Sequence, residues 1–154
     1  MYRDNTLIPT EAIRLAALGQ LVESDRPYSE LAREVRQFVS LIVGPSLDML
    51  GPSLELLCFE GLVESDGDIS ADPDAILSIT KEGQAIFQTL MTSNVRAPVN
   101  DVSKLVVALK LRFLHLLNTE YRIAQIERLV EMCQTELVRL EELRSSQVDG
   151  QFAE

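Results

Sequence analysis

The sequence has two cysteines and one histidine. Cys58 and Cys133 lie far apart, each inside an apolar helical pattern, so they form neither a disulfide framework nor a zinc signature. His115 also sits in an apolar helix with no Cys or carboxylate cluster beside it. This is a poor setting for a metal site or an acid–base pair. Long uncharged apolar runs are lacking too. The most apolar stretch, LVVALKLRFLHLL (105 to 117), is broken by Lys110, Arg112 and His115, which excludes a bilayer span. The first residues carry Asp4, Glu11 and Arg14 where a secretory signal needs a clean apolar core. A soluble cytoplasmic protein is expected. No nucleophile–base pair, metal-ligand cluster or glycine-rich phosphate loop stands out, so no cofactor and no enzymatic activity are expected.

What is scarce with most consequence is positive charge in the middle of the chain. The formal charge is −10, from 14 basic and 24 acidic side chains. Residues 1 to 43 hold five basic and six acidic groups, and residues 96 to 154 hold eight and nine. Residues 44 to 95 hold one basic group, Lys81, against nine acidic ones, net −8. Otherwise the composition is that of an ordinary globular protein, 46% apolar and 25% charged in 154 residues, enough to bury a core.

Periodicity places the elements. TEAIRLAALGQLVE (10 to 23) reads as a helix with Thr10 as cap and Ile13, Ala17 and Leu21 on one face. PYSELAREVRQFVSLIV (27 to 43) reads as a second, with the stripe Tyr28, Leu31, Val35, Phe38 and Ile42. Arg33 and Arg36 lie off that stripe and face water or a partner. Next come two consecutive copies of one phrase, GPSLDML and GPSLELL. Pro45 and Pro52 argue against one helix through both. Gly44 ends the second helix, and Pro52 at a first helical position opens a third, with Leu54 and Leu57 inward and Gly61 at its end. LVES (62 to 65) and AILSIT (75 to 80) read as the strands of a two-stranded hairpin around the turn-rich SDGDISADPD. Thr80 caps a fourth helix, KEGQAIFQTLM.

The chain then divides into a linker over 94–102, a helical region over 103–146 and a flexible tail over 147–154, after an N-terminal domain over 1–93. SKLVVALKLRFLHLL is an apolar helix. In the last helix, expected from about Glu120 to Arg144, Ile123, Ile126, Val130, Cys133, Leu137 and Leu140 recur at alternating spacings of three and four. That is the seam by which one helix packs along another in a coiled coil, inside a helical hairpin or across a dimer. With Leu109, Phe113 and Leu116 of the preceding helix, these residues are the candidate dimerisation face.

The order of helix, helix, helix, two-stranded wing, helix and long helices is that of a winged helix-turn-helix with a helical appendix: mainly α, with an α+β wing. AALGQL (16 to 21), PYSELAREV (27 to 35), PSLELLCFEGLVES (52 to 65) and ILSITKEGQAI (76 to 86) resemble the PadR-type transcriptional regulators in order and spacing. LKLRFLHLL followed by EYRIAQIERLVEMCQTELVRLEEL resembles that family's C-terminal helices. The resemblance implies a homodimer held by those helices. It also implies a third helix (52 to 60) that enters the major groove of duplex DNA and a wing (66 to 75) that touches the backbone. The chain departs from the pattern in its charges. Glu55 and Leu56 follow the PxL phrase where relatives carry lysine or arginine, Gly51 replaces a tyrosine, and the wing has four aspartates and no cation.

Two roles follow. In a DNA-binding regulator, Arg14, Arg33 and Arg36 would meet phosphates, with Ser46 and Ser53 as polar contacts, and affinity would come mainly from neutralising phosphate charge. Arg26 is a further cation that could contribute. In an adaptor or anti-regulator without DNA contact, Glu55, Glu60, Asp66, Asp68, Asp72 and Asp74 would form an acidic surface for a basic protein partner.

Overall fold

The computed structural model describes residues 1–44, 50–95 and 100–152. The first helix, α1 (Pro9–Glu23), starts two residues earlier than the Thr10 cap predicts, with Ile8 at the N-cap position. Proline at the first helical position has no N–H to leave unbonded. Glu11 reaches back and accepts the Ile8 N–H at 3.1 Å, which satisfies one of the donors that every helix start leaves open. Ile8 has no side-chain acceptor to return the favour. α1 is not amphipathic in the expected sense. Ala12, Ile13, Leu15, Ala16, Ala17, Leu18 and Leu21 are all buried, because α1 is the central helix and packs on every other helix of the N-terminal half and on α5, described below.

The break SDRP is a strand. β1 (Arg26–Pro27) pairs antiparallel with β3 (Ile76–Ile79), which pairs antiparallel with β2 (Val63–Ser65), giving the order β1-β3-β2. The expected two-stranded hairpin is therefore a three-stranded sheet. Two residues are too few to show an alternation, and proline is tolerated there because β1 is an edge strand. The third strand also serves the helix after it. Pro27, the N-cap of α2 (Tyr28–Val43), offers no side-chain acceptor. The Tyr28 and Ser29 N–H groups instead bond to Ala75 O and Pro73 O, both at 2.9 Å.

In α2, Leu31, Val35 and Val39 are buried and Phe38 partly so, whereas Ile42 is exposed. The buried face rotates slightly from the predicted stripe. Gly44 ends the helix at φ 87°, a left-handed conformation suited to glycine. The rest of the first copy of the doubled phrase lies outside the described residues. α3 (Leu50–Phe59) begins before Pro52 rather than at it. Pro52 still falls in the first turn, where a missing N–H costs no helical bond. Leu54 and Leu57 point into the core as expected, and Gly61 at φ 78° closes the turn into β2.

α4 (Lys81–Met91) is capped by Thr80, whose Oγ1 accepts the Gly83 N–H at 3.0 Å and donates to Gly61 O at 2.7 Å. α5 (Asp101–Phe113) begins two positions before the predicted Ser103, because the Asn100 side chain caps it by accepting the Ser103 N–H at 2.9 Å. A single 3-10 turn (Leu114–Leu116) leads to α6 (Thr119–Phe152), which stays helical beyond Arg144 to Phe152. One hydrophobic core unites these elements. Leu105, Val106, Leu109, Phe113 and Leu117 pack with the buried residues of α1 to α4. α5 therefore completes the winged-helix core, with Phe113 edge-on to Phe87 at 6.1 Å between ring centroids.

Candidate functional site

In a winged helix the third helix and the wing face the partner. The outward side of α3 carries Glu55, Leu56, Phe59 and Glu60, all exposed, and no cation. Phe59 is 89% exposed, which is unusual for a large aromatic with apolar contacts on offer elsewhere. Glu60 pairs with Arg14 at 3.1 Å, so this arginine is already partnered within the fold. Burial, and then the charge of Glu55, raise the Cys58 thiol and the Tyr28 hydroxyl above their ordinary values. Cys58 is thus held as a neutral thiol, not activated as a nucleophile.

The wing aspartates have structural work as well as charge. Asp66 Oδ1 accepts the Ile76 N–H at 2.7 Å. Asp68 Oδ1 accepts the Ser70 N–H at 3.0 Å and its hydroxyl at 2.6 Å, which holds its carboxyl below the usual range. Asp72 Oδ1 accepts the Asp74 N–H at 2.9 Å. Asp68 and Asp72 form Asx turns and Asp66 ties the start of the loop to β3, which accounts for three of the four aspartates without requiring a partner. Among the described residues no group of His, Cys, Asp and Glu is placed to hold a metal.

The cations divide into committed and free. Arg26 bonds to Gln20, Glu34 and Glu23 at the joint of α1, β1 and α2, so it is structural. Arg33 and Arg36 are exposed on α2, and among the described residues neither makes an ion pair. With Gln37, Ser40 and Leu41 they line a shallow open depression. Of the polar candidates, Ser46 lies outside the described residues and Ser53 sits on α3.

The C-terminal face is sorted by the fold. Leu109 and Phe113, expected on the seam, are each 1% exposed in the core. The Phe113 ring fills the space beside Gly19, leaving no room there for a Cβ. Leu116 is partly buried against the same core. On α6, in contrast, Ile123, Ile126, Val130, Cys133, Leu137 and Leu140 are all exposed. The adjacent stripe, Gln125, Leu129 and Met132, is what α6 buries against its own chain. The seam is left open, and with Val107 and Leu111 of α5 part of it forms an apolar groove of about 380 Å³. The periodicity shows the seam, whereas the inward stripe one residue away is not legible as an apolar row because it includes the polar Gln125.

A three-helix core, a three-stranded sheet with a wing and a long C-terminal helix define a winged helix-turn-helix protein. Residues 2–153 match the model of the family described as "Putative AphA-like transcriptional regulator", and the chain belongs to that family of transcriptional regulators. No curated protein matches it. Among the described residues no helix is long and apolar enough to cross a membrane.

Proposed function

We propose that this chain is a cytoplasmic, PadR-like transcriptional regulator that binds DNA as a homodimer joined along α6. The observation that carries the reading is the exposed seam from Ile123 to Leu140. Six apolar side chains at coiled-coil spacing, left uncovered beside an apolar groove, fit a second copy of the same helix. A two-fold dimer then presents two winged helices to two half-sites of duplex DNA.

The acidic α3 and wing shift the electrostatic part of binding to α2. Arg33 and Arg36 lie on the helix that crosses the DNA backbone in this fold. Four such arginines per dimer give a salt dependence of about −4 in log K against log salt, from roughly 0.9 per phosphate neutralised. Duplex binding measured over a salt series, with particle size taken on the same sample, tests this. A steep gain in affinity at low salt, abolished by Arg33→Glu with Arg36→Glu, is expected. Absence of duplex binding at low salt by a dimeric sample refutes the DNA-binding part.

A second reading rests on the outward face of α3. Glu55, Leu56, Phe59 and Glu60 combine acid with apolar area. That suits a cationic protein partner, such as the positive face of another DNA-binding protein, better than phosphates. On this reading the chain is an adaptor or anti-regulator. Loss of a defined partner on Glu55→Lys with Phe59→Ala, without loss of the dimer, would support it. Unchanged partner binding would remove it.

A further inference from the structure

Lys110 is the one charged side chain among the described residues with no exposure at all. It rises from α5, and its Nζ donates to Met91 O at 2.8 Å, Ser93 O at 2.5 Å and Gln125 Oε1 at 2.6 Å. Two of these acceptors are backbone carbonyls at the C-terminal end of α4, and the third is a side chain of α6. Between them, Thr92 O accepts from Arg128 of α6 at 2.9 Å, and Arg128 also reaches Asn94 Oδ1 at 3.3 Å. Three consecutive carbonyls at the end of α4 are thus held by two cations. This is the end where unbonded carbonyls and the helix dipole favour positive charge. The other end of α4 starts at Thr80, directly after the wing strand β3. α4 is therefore a strut from the wing to the Lys110–Arg128 clamp, and α6 is attached at the clamp.

We propose that this clamp is a proton-operated coupling: the Lys110 ammonium fixes α6 to the end of α4, and loss of its proton lets α6 shift relative to the wing.

The donor count supplies the mechanism. An ammonium has three N–H groups for three carbonyl oxygens. When it gives one proton to solvent, the amine has two N–H groups and a lone pair, and one acceptor must turn away. Met91 O and Ser93 O are fixed by the backbone, so the free rotor is the Gln125 side chain. Arg128 stays charged throughout and remains on Thr92, as a pivot. Burial, and secondarily the positive charge of Arg128, push Lys110 from 10.5 down to about 7, so the proton exchanges near neutrality. Among the described residues, Arg128 is the one charged group that acts on the Lys110 ammonium. On α1, Glu11, Arg14 and Glu23 are paired with Met1, Glu60 and Arg26, respectively. On α2, Glu34 pairs with Arg26, and Arg33 and Arg36 are exposed. On α4, Lys81 and Glu82 sit at the far end. On α5, Arg112 pairs with Glu23, and Asp101 and Lys104 lie in the first turn. On α6, Glu127 and Glu131 are exposed.

The consequence for regulation rests on the dimer reading, since tilting α6 would change the spacing of two winged helices. The coupling itself is intramolecular and is tested without DNA. Spin labels at Gln84→Cys and Glu141→Cys, in a Cys58→Ser, Cys133→Ser background diluted with unlabelled protein, report the α4–α6 distance. The same samples, with isotope-labelled lysine, give the Lys110 titration by NMR from pH 5.5 to 9.5, and sedimentation gives their size. The expected result is a distance change with the Lys110 midpoint. Gln125→Glu should move that midpoint up by about 1 unit or more, because a carboxylate holds the ammonium. Gln125→Leu should abolish the change while leaving the lysine its two backbone acceptors. A distance that is constant over this range in the parent, or the same pH response in Gln125→Leu, overturns the coupling. A distance change in a sample that sediments as a monomer keeps the coupling and refutes the dimer instead.

Discussion

At the scale of single residues, much of this fold depends on close approach. A Cβ on Gly83 would lie 2.1 Å from Leu62 O, a backbone atom that also accepts the Thr80 N–H at 3.1 Å. This is the physical reason for glycine in the phrase TKEG: the first turn of α4 presses on the strand before the wing. Gly83→Ala is expected to cost about 1–3 kcal/mol, as overpacking does. Gly67→Ala, whose new methyl would meet Ala75 Cβ at 3.5 Å, should be nearly neutral. Urea midpoints of the two variants check the contrast. Lys110 gives a second prediction, with its sign fixed by linkage. Its value falls from 10.5 to about 7 on folding, so between those limits the unfolded chain binds more protons than the folded one. Stability from this group therefore rises with pH through that window, and below about 7 the full burial cost is present. The difference in unfolding free energy between the parent and Lys110→Met should change between pH 7 and 9.5 and be flat below pH 6. A difference independent of pH would show that Lys110 is not shifted.

At the scale of elements, the two faces of the C-terminal helices make opposite predictions. Val130→Lys with Leu137→Lys removes no core packing, because Leu137 is 57% exposed in the single chain. These substitutions should leave the thermal transition of the winged helix in place while converting a dimer to a monomer by sedimentation. Leu109→Ala should instead destabilise the fold by about 2–5 kcal/mol, as buried leucine truncations do, and act on association only through unfolding. Periodicity could not separate these faces. α5 is apolar on two sides, and which side meets α1 and α2 is decided by packing that no local window contains. The start of α4 and the end of α2 are legible in the sequence, because Thr80 and Gly44 carry local chemistry that fixes a boundary by itself. β1 was invisible for the converse reason: two residues become a strand only when Leu77 and Ile76 arrive from far along the chain.

At the scale of the whole molecule, charge is the quantity to test. Residues 44 to 95 carry most of the excess of −10, and they hold α3 and the wing. Changing Asp66, Asp68, Asp72 and Asp74 to Asn removes four negative charges per chain. An amide oxygen still accepts the backbone N–H groups that shape the loop, so the wing should keep its form. If DNA is the partner, affinity at low salt should rise by roughly 10-fold or more, since each charge removed eases repulsion that salt otherwise screens over about 8 Å. Lower affinity, or loss of a protein partner in the same variant, would favour the acidic surface as a binding face. Titration of labelled duplex by fluorescence anisotropy separates these outcomes.

The sequence by itself determined the class of fold, the breaks at Gly44 and Gly61, the cap at Thr80, the acidity of the third helix and wing, and the existence of an apolar row on α6. Each of these depends on residues within a turn or two of one another, or on summed charge. Only the tertiary structure decided that this row is left uncovered while Leu109 and Phe113 are consumed by the core. It alone showed that Arg14 and Arg26 are spent on internal pairs while, among the described residues, Arg33 and Arg36 make none, and that a buried lysine joins α4 to α6. Those outcomes depend on which distant surfaces compete for the same side chain, and the competition is settled by burial and geometry in three dimensions.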